Sequence, residues 1–120
     1  MDLSFLALST LDSSIHLLDI SDGQLVQTYK GGHTSTQYHG SVKYTLDGNK
    51  YLVTGSEDGA VVLYDTSSKA VACRTESGQS HSMPVISIDV IKGNRIVSGS
   101  ADSTIKVWDF STIQAAPAFN

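Results

Sequence analysis

The sequence predicts an all-β fold in which a unit of short antiparallel strands recurs along the chain. The first observation is composition, since Ser, Thr and Gly supply 38 of the 120 residues and Pro only 2. Such a turn-rich mixture suits strands and tight turns better than a helical bundle. The second is an alternating β-branched run, Val85-Ile-Ser-Ile-Asp-Val90, which has the period of a strand. The third is internal repetition, which also sets the size of the unit.

Three segments of the chain share one pattern. They read Asp12-Ser-Ser-Ile-His-Leu-Leu-Asp19, Asp58-Gly-Ala-Val-Val-Leu-Tyr-Asp65 and Asp102-Ser-Thr-Ile-Lys-Val-Trp-Asp109. The leading Asp recurs after 46 residues and again after 44. A period in the mid-forties whose last copy ends in Trp-Asp is typical of a propeller blade of four strands.

Each repeat is predicted to be a meander of short strands joined by turns. The first repeat, about 1–31, has strands over 5–9, 15–18 and 25–29. The second, about 32–77, has strands over 40–44, 51–54, 61–64 and 70–74, with a turn at Asp47-Gly48. The third, about 78–110, has strands over 85–90, 95–98 and 104–108, with a turn at 92–94, and a tail of 111–120 follows it.

The strand count predicts a partial propeller of about two and a half to three four-stranded antiparallel blades, because the first repeat lacks its innermost strand and the third its outermost. A closed ring needs at least about four blades. With this period it commonly has about seven, or roughly 300 residues. We therefore expect the 120-residue chain by itself to be oligomeric or to need further blades.

The repeated residues carry a resemblance to a known family. They are Gly32-His33, then Gly55-Ser-Glu-Asp58 with Tyr64-Asp65, and Gly99-Ser-Ala-Asp102 with Trp108-Asp109. Over about residues 5–110 the chain resembles the WD-repeat β-propeller family. The resemblance implies that 1–120 forms part of a WD-repeat propeller and acts as a protein–protein interaction scaffold. It implies neither a cofactor nor an enzymatic activity.

The resemblance also implies a buried polar network in each blade that joins a His, a Ser or Thr, a turn Asp and a strand Trp. In the third repeat the matching residues are His81, Ser98, Asp102 and Trp108. In the second they are His33, Thr54, Asp58 and Tyr64, with Tyr in place of Trp. The first repeat has Leu8 and Leu18 at two of these positions, so we expect no network there.

Catalytic, metal and redox chemistry are disfavoured by the pattern. A His/Ser/Asp set that recurs in two repeats, with Ser and Thr interchanged, indicates structure rather than an activated nucleophile. The four histidines, His16, His33, His39 and His81, lack the paired spacing of metal ligands. A single cysteine, Cys73, excludes an intramolecular disulfide and a Cys-based zinc cluster. Its place on a predicted outer strand favours packing.

Net charge and hydropathy limit the classes of partner and the locations that the sequence predicts. With 8 basic and 12 acidic residues the net charge is -4, which argues against direct binding of nucleic acid or anionic lipid. No run is long and apolar enough to span a membrane, and the start, Met1-Asp2-Leu3-Ser4, lacks the positive region of a secretory signal. We expect a cytoplasmic or nuclear location and protein partners, with a preference for basic ones.

The resemblance also implies which residues contact a partner protein. In the family, the loops between blades and the turns between second and third strands share one face, which places Tyr38, Glu57 and Met83 there. Aromatic residues and Met are enriched at interfaces. The alternative is that Tyr38 and Met83 pack beside the blade.

Residues 10–19 and 23–31 are similar to late blades of WD-repeat scaffolds of kinase cascades and pre-mRNA splicing. The alternatives are a WD-repeat subunit of a histone-methyltransferase complex and a truncated, non-functional propeller fragment.

Overall fold

The computed structural model describes residues 5–37, 41–45, 50–75, 80–91 and 95–109. These residues form ten strands: β1 (Phe5–Thr10), β2 (Ser14–Asp19), β3 (Leu25–Lys30), β4 (Val42–Tyr44), β5 (Tyr51–Gly55), β6 (Val61–Asp65), β7 (Val71–Arg74), β8 (Val85–Ile91), β9 (Arg95–Ser100) and β10 (Ile105–Asp109). Within these ranges there is no helix, and hence none that could cross a membrane.

The strands form three antiparallel meanders. The sheet orders are β1-β2-β3, β4-β5-β6-β7 and β8-β9-β10, here called the first, second and third blades. The predicted all-β fold with a partial set of propeller blades is confirmed. Each strand lies where the sequence predicted one, with ends that differ by one or two residues. The predicted turns at 47–48 and 92–94 and the tail 111–120 lie outside the described residues.

The turn between the second and third strand positions has the same backbone geometry in all three repeats. The residue after the leading Asp has a positive φ in each case: Ser13 (63°), Gly59 (93°) and Ser103 (70°). A left-handed residue at this point reverses the chain tightly enough for the flanking strands to pair. At Gly59 a side chain is excluded sterically as well, since a Cβ would overlap the carbonyl group of His81.

Two apolar clusters hold the three blades together. One joins the second and third blades and contains Val53, Val61, Leu63, Cys73, Val85, Ile88, Ile96 and Trp108. The other joins the first and second blades and contains Ile15, Tyr29, Leu52, Ala60, Val62 and Tyr64. Because successive strand residues point to opposite faces, the middle sheet supplies side chains to both clusters. Blade-on-blade packing therefore stabilises this fold.

The outward faces of the first and third blades carry exposed apolar residues. Leu6 and Leu8 of β1 are 48% and 42% exposed, and Ile105 and Val107 of β10 are 75% and 45% exposed. In the middle blade the corresponding faces are covered by its two neighbours. Within the described residues, neither of these two outer faces is covered by a neighbouring blade.

Candidate protein-interaction face

The third blade contains a buried polar network centred on Ser98. Its Oγ lies 2.8 Å from His81 Nε2 and accepts the indole N–H of Trp108 at 2.8 Å. The other ring nitrogen of His81, Nδ1, lies 2.9 Å from Thr104 Oγ1 and 3.2 Å from Asp102 Oδ2. The structure therefore brings together all four residues expected in this repeat, and it adds Thr104.

Asp102 fastens the loop before β8 to the turn before β10. Its Oδ1 accepts the N–H of Thr104 at 2.9 Å and the hydroxyl of Thr104 at 2.5 Å. Its Oδ2 accepts the N–H of Ser82 at 3.0 Å. Hydrogen bonds, first of all that from the Thr104 hydroxyl, hold the pKa of Asp102 well below its usual range. Sequence reasoning missed Thr104, although its place two residues after a turn Asp is a usual position for such a bond.

The second blade is arranged differently from the network expected there. His33 Nδ1 lies 2.7 Å from the hydroxyl oxygen of Tyr64, which also accepts the N–H of Gly32 at 3.0 Å. The hydroxyl of Thr54 instead donates to the carbonyl of Ser41 at 3.1 Å. Thr54 is therefore not a link between His33 and the strand aromatic. The physical reason is that the Tyr64 side chain places its hydroxyl directly beside His33, so no Ser or Thr hydroxyl is needed between the two rings.

Asp58 also departs from the expected network, because its carboxylate pairs with Arg74 of β7. Arg74 further donates from Nε to the carbonyl of Gly32 at 3.2 Å. Burial raises the pKa of Asp58, but hydrogen bonds from Ser56, Ala60 and Arg74 and the charge of Arg74 outweigh it, so the pKa is lowered. Sequence reasoning missed Arg74, which lies 16 residues beyond Asp58 and has no motif that marks it.

In the first blade, Asp12 accepts a hydrogen bond from the hydroxyl of Thr10 at 2.5 Å. This bond is the largest cause of its lowered pKa. Leu8 of β1 pairs with His16 of β2, and Leu18 pairs with Leu6. Leu8 and Leu18 thus occupy the positions that Ser98 and Trp108 hold in the third blade, and both are apolar.

Glu57 organises the loop that leads into the second blade. Its Oε2 accepts the N–H groups of Thr36 at 2.5 Å and Gln37 at 2.6 Å, while its own N–H donates to the carbonyl of Thr34 at 2.8 Å. Two backbone donors bound to one carboxylate hold this loop in a single shape. Glu57 was expected to contact partners, and in the structure its exposed carboxylate bonds the backbone of its own loop.

Loops and turns at this end of the blades form one continuous surface, which we call the loop face. It consists of 11–13, 33–37, 56–59, 81–84 and 101–103. Ser13 and Ser35 join the first two segments, and Ser56 accepts the N–H of Val85 at 3.1 Å. Ala101 donates to the carbonyl of Pro84 at 3.1 Å. The loop face therefore crosses all three blades without a break.

Two apolar side chains project from the loop face. Met83 is 47% exposed and Leu11 is 42% exposed. The carbonyl of Met83 accepts a hydrogen bond from the hydroxyl of Ser100 at 3.0 Å. This bond holds the backbone of Met83 in place while its side chain stays exposed. Tyr38, the other expected contact residue, lies outside the described residues, as does His39.

The His81, Ser98 and Asp102 geometry resembles a catalytic triad in distance but not in setting. Ser98 is fully buried and His81 is 3% exposed, so no substrate carbonyl could reach the Oγ. That oxygen already accepts the indole N–H of Trp108, which opposes its use as a nucleophile. The arrangement is suited to joining strands.

Cys73 lies buried in the cluster between the second and third blades. Burial raises the pKa of its thiol to about 12. Since the thiolate is the reactive form, this cysteine is a packing residue. In the described part of the chain, no group of three or more His, Cys, Asp or Glu side chains is placed to hold a metal ion.

The model of the WD domain, G-beta repeat matches residues 23–65 and 73–109. The chain belongs to the WD-repeat family. Each match ends at the last residue of the third strand of a blade, which is Asp65 of β6 or Asp109 of β10. The repeat of the family model is therefore aligned with the repeat of strands in the structure. The two matches cover β3 of the first blade, β4 to β6 and the end of β7 in the second, and all of the third.

Curated relatives of this WD-repeat chain include several large proteins. The U3 small nucleolar RNA-associated protein 15 homolog of Xenopus laevis is 42% identical over 101 residues, covering 83% of this chain and 18% of that protein. Nuclear distribution protein nudF of Aspergillus niger is 32% identical over 110 residues, covering 89% and 24%. U3 small nucleolar RNA-associated protein 12 of Saccharomyces cerevisiae is 29% identical over 100 residues, covering 82% and 10%. The WD-repeat chain thus spans between 10% and 24% of the length of these relatives.

Proposed function

We propose that this WD-repeat chain is a protein–protein interaction scaffold whose loop face receives the partner. The observation that carries the proposal is the continuity of that face across three blades. Hydrogen bonds between neighbouring segments order the surface before a partner arrives, which lowers the entropic cost of binding. Glu57 contributes by holding Thr36 and Gln37.

The chemistry of the loop face supports a protein as partner. Exposed Leu11 and Met83 supply apolar contact, and Met adapts to irregular partner surfaces. The carboxylates of Asp12 and Asp58 are 66% and 47% exposed and disfavour a nucleic-acid backbone. Tyr38, which directly follows the described loop in sequence, remains a proposed contact residue. An enzymatic role is disfavoured because Ser98 and His81 are closed off from solvent.

A nuclear RNA-processing assembly is the setting that we propose for the scaffold. Residues 10–19 and 23–31 resemble the mitogen-activated protein kinase organizer, a WD-repeat scaffold that is also a spliceosome component. Two relatives are named as U3 small nucleolar RNA-associated proteins. Pre-mRNA splicing and a small nucleolar RNA both concern RNA of the nucleus, so the two similarities point to the same setting. Kinase-cascade scaffolding, with a cytoplasmic location, is the second candidate and rests on the first resemblance alone.

Affinity capture with loop-face variants tests the proposal. The bait is this chain, compared with its Met83→Asp variant and with Lys69→Glu as the matched control. Lys69 lies in the turn between β6 and β7, at the opposite end of the blades. We expect RNA-processing proteins to remain bound after RNase treatment, to be lost with Met83→Asp and to be retained with Lys69→Glu. Equal recovery with both variants would contradict a loop-face scaffold, and enrichment of kinases alone would favour the second candidate.

A further inference from the structure

The turn between β2 and β3 carries exposed apolar side chains. This turn, 20–24, follows the last residue of β2 and lies at the opposite end of the first blade from the loop face. Ile20 in the turn is 57% exposed, and the first two residues of β3, Leu25 and Val26, are 57% and 45% exposed. We call these three residues the hairpin patch. Large apolar side chains are usually buried, so a group of them exposed in one hairpin is a candidate contact surface.

The turn between β6 and β7 shows that the backbone does not require these residues. In the first blade Asp19 donates its N–H to the carbonyl of Gln24 at 2.9 Å, and in the second Asp65 donates to Ala70 at the same distance. Each turn also holds one left-handed residue at the matching position. Since two different sequences form the same turn, its geometry does not explain the apolar side chains.

The second blade has residues at these positions that contact its own fold. Thr66 takes the place of Ile20, and its hydroxyl donates to the carbonyl of Lys50 at 3.0 Å. Val26 and Ala72 are both the extra residue of a β-bulge, and Ala72 packs against the cluster between the second and third blades. At both positions the first blade therefore has a larger apolar residue that stays exposed.

Neighbouring blades leave this end of a blade uncovered. Val71, which takes the place of Leu25 in the second blade, is 41% exposed although that blade has a neighbour on each side. Ala72 packs toward the third blade, so the matching Val26 lies on the side of the second blade, which is present and leaves it exposed. A further blade beside the first would therefore leave much of the hairpin patch open to a partner.

The charges beside the hairpin patch define the sign of a complementary partner. Asp19 and Asp22 each use Oδ1 for the turn, accepting the N–H groups of Ser21 and Gln24 at 2.9 Å. In the described part of the chain neither carboxylate forms an ion pair. The turn contains no Lys or Arg, whereas the matching turn of the second blade contains Lys69. Cationic groups are therefore the complementary contact.

We propose that the hairpin patch docks a segment of a partner protein that carries both apolar side chains and Lys or Arg. The apolar side chains pack on Ile20, Leu25 and Val26, and the cations pair with Asp19 and Asp22. The patch lies one strand length from the loop face, about 20 Å for the six residues of β2. This surface goes beyond the loop face of the proposed function and does not depend on it, so the chain can hold two proteins at once.

Fluorescence anisotropy of this chain with two labelled peptides tests the docking. The probes are an alternating leucine–lysine peptide and a leucine–glutamate peptide of the same length, and we expect the lysine peptide to bind about tenfold more tightly. Ile20→Thr/Val26→Ala introduces the residues of the second blade and should weaken its binding about tenfold. Val71→Ala, in the matching hairpin, is the control and should leave the affinity unchanged. Equal binding of the two peptides, or an unchanged affinity in Ile20→Thr/Val26→Ala, would overturn the proposal.

A charge variant tests the contribution of the carboxylates. Asp19→Asn/Asp22→Asn removes both charges, while each Asn keeps an oxygen that can accept the N–H groups of the turn. We expect the leucine–lysine peptide to bind about fivefold more weakly and its advantage over the leucine–glutamate peptide to shrink. An undiminished preference for the lysine peptide would overturn the assigned partner chemistry.

Sedimentation velocity distinguishes a partner protein from a second copy of the chain. Ile20→Thr/Val26→Ala should leave the size of any oligomer unchanged, because neither residue belongs to the outer blade faces. A smaller oligomer would assign the hairpin patch to contact between copies and overturn the proposal. Met83→Asp on the loop face should leave peptide binding unchanged, so the hairpin patch and the loop-face scaffold fail separately.

Discussion

Trp108 donates its indole N–H to Ser98 Oγ at 2.8 Å, and this bond ties β10 to β9 inside the third blade. Ser98 is fully buried, and Trp108 is 1% exposed. The same oxygen lies 2.8 Å from His81 Nε2, so one hydroxyl joins two strands and the loop that enters the blade.

Ser98→Ala is expected to destabilise the fold by about 1–3 kcal/mol, because it leaves buried N–H groups of Trp108 or His81 without an acceptor. The free energy of unfolding in urea measures the loss. Ser87→Ala is the matched control, since Ser87 lies exposed on β8 of the same blade. Equal losses in the two variants would show that the network does not stabilise the blade.

Asp102→Ala is expected to lower the urea midpoint more than Asp12→Ala. The Asp102 side chain is 10% exposed and joins a turn to the loop before β8, whereas the Asp12 side chain is 66% exposed and bonds within its own turn. Both variants remove a turn Asp at the same place in the repeat, so the difference reports the links of Asp102 to His81 and to the Ser82 backbone. An equal or larger effect for Asp12→Ala would contradict this assignment.

Acidification is expected to destabilise the chain through His33. Burial lowers the pKa of His33, so the unfolded chain binds the proton more readily than the folded one. The stability contributed by the neutral ring is complete above about pH 6.5, the unfolded value, and is lost as the pH falls through the folded pKa. Urea midpoints between about pH 7.5 and pH 5 measure the slope. The slope should be shallower in His33→Asn, and identical slopes would disprove the prediction.

Cys73 is expected to resist alkylation until the chain unfolds. Its pKa of about 12 and its burial keep the thiolate scarce and inaccessible. Because it is the one cysteine of the sequence, iodoacetamide incorporation followed by mass spectrometry reports on this site alone. The rate in native buffer should be far below the rate in urea. Comparable rates would show that the two blades separate readily.

The 120-residue polypeptide is expected to associate through its outer blade faces. Leu6, Leu8, Ile105 and Val107 are all more than 40% exposed, and burial of apolar area contributes about 25 cal/mol per Å². Sedimentation velocity at low micromolar concentration should show oligomers. Replacing Leu6 and Leu8 by Ser should reduce their size. A compact monomer that unfolds cooperatively would refute the expectation.

The repeat period and the alternation of side chains were sufficient to place every described strand. Both signals are local: a turn such as Asp102-Ser103 and a run such as 104–108 predict backbone geometry from neighbouring residues. The resemblance to the WD-repeat family, and not these local signals, implied that the third repeat would bring Trp108 and His81 into one network, since all of its members have their usual identity there. Fold class and blade count follow from the same period.

The polar partners of the second blade were decided only by the tertiary structure. Nothing near Asp58 in sequence shows that Arg74 reaches it across the blade, or that Thr54 bonds Ser41 instead of His33. Likewise, the resemblance placed Glu57 among the candidate partner contacts, but its bonds to Thr36 and Gln37 require the loop to fold over the turn. The physical reason is that strand geometry follows from backbone sterics within a few residues, whereas a side chain with several donors in reach takes its partner from the three-dimensional competition among them.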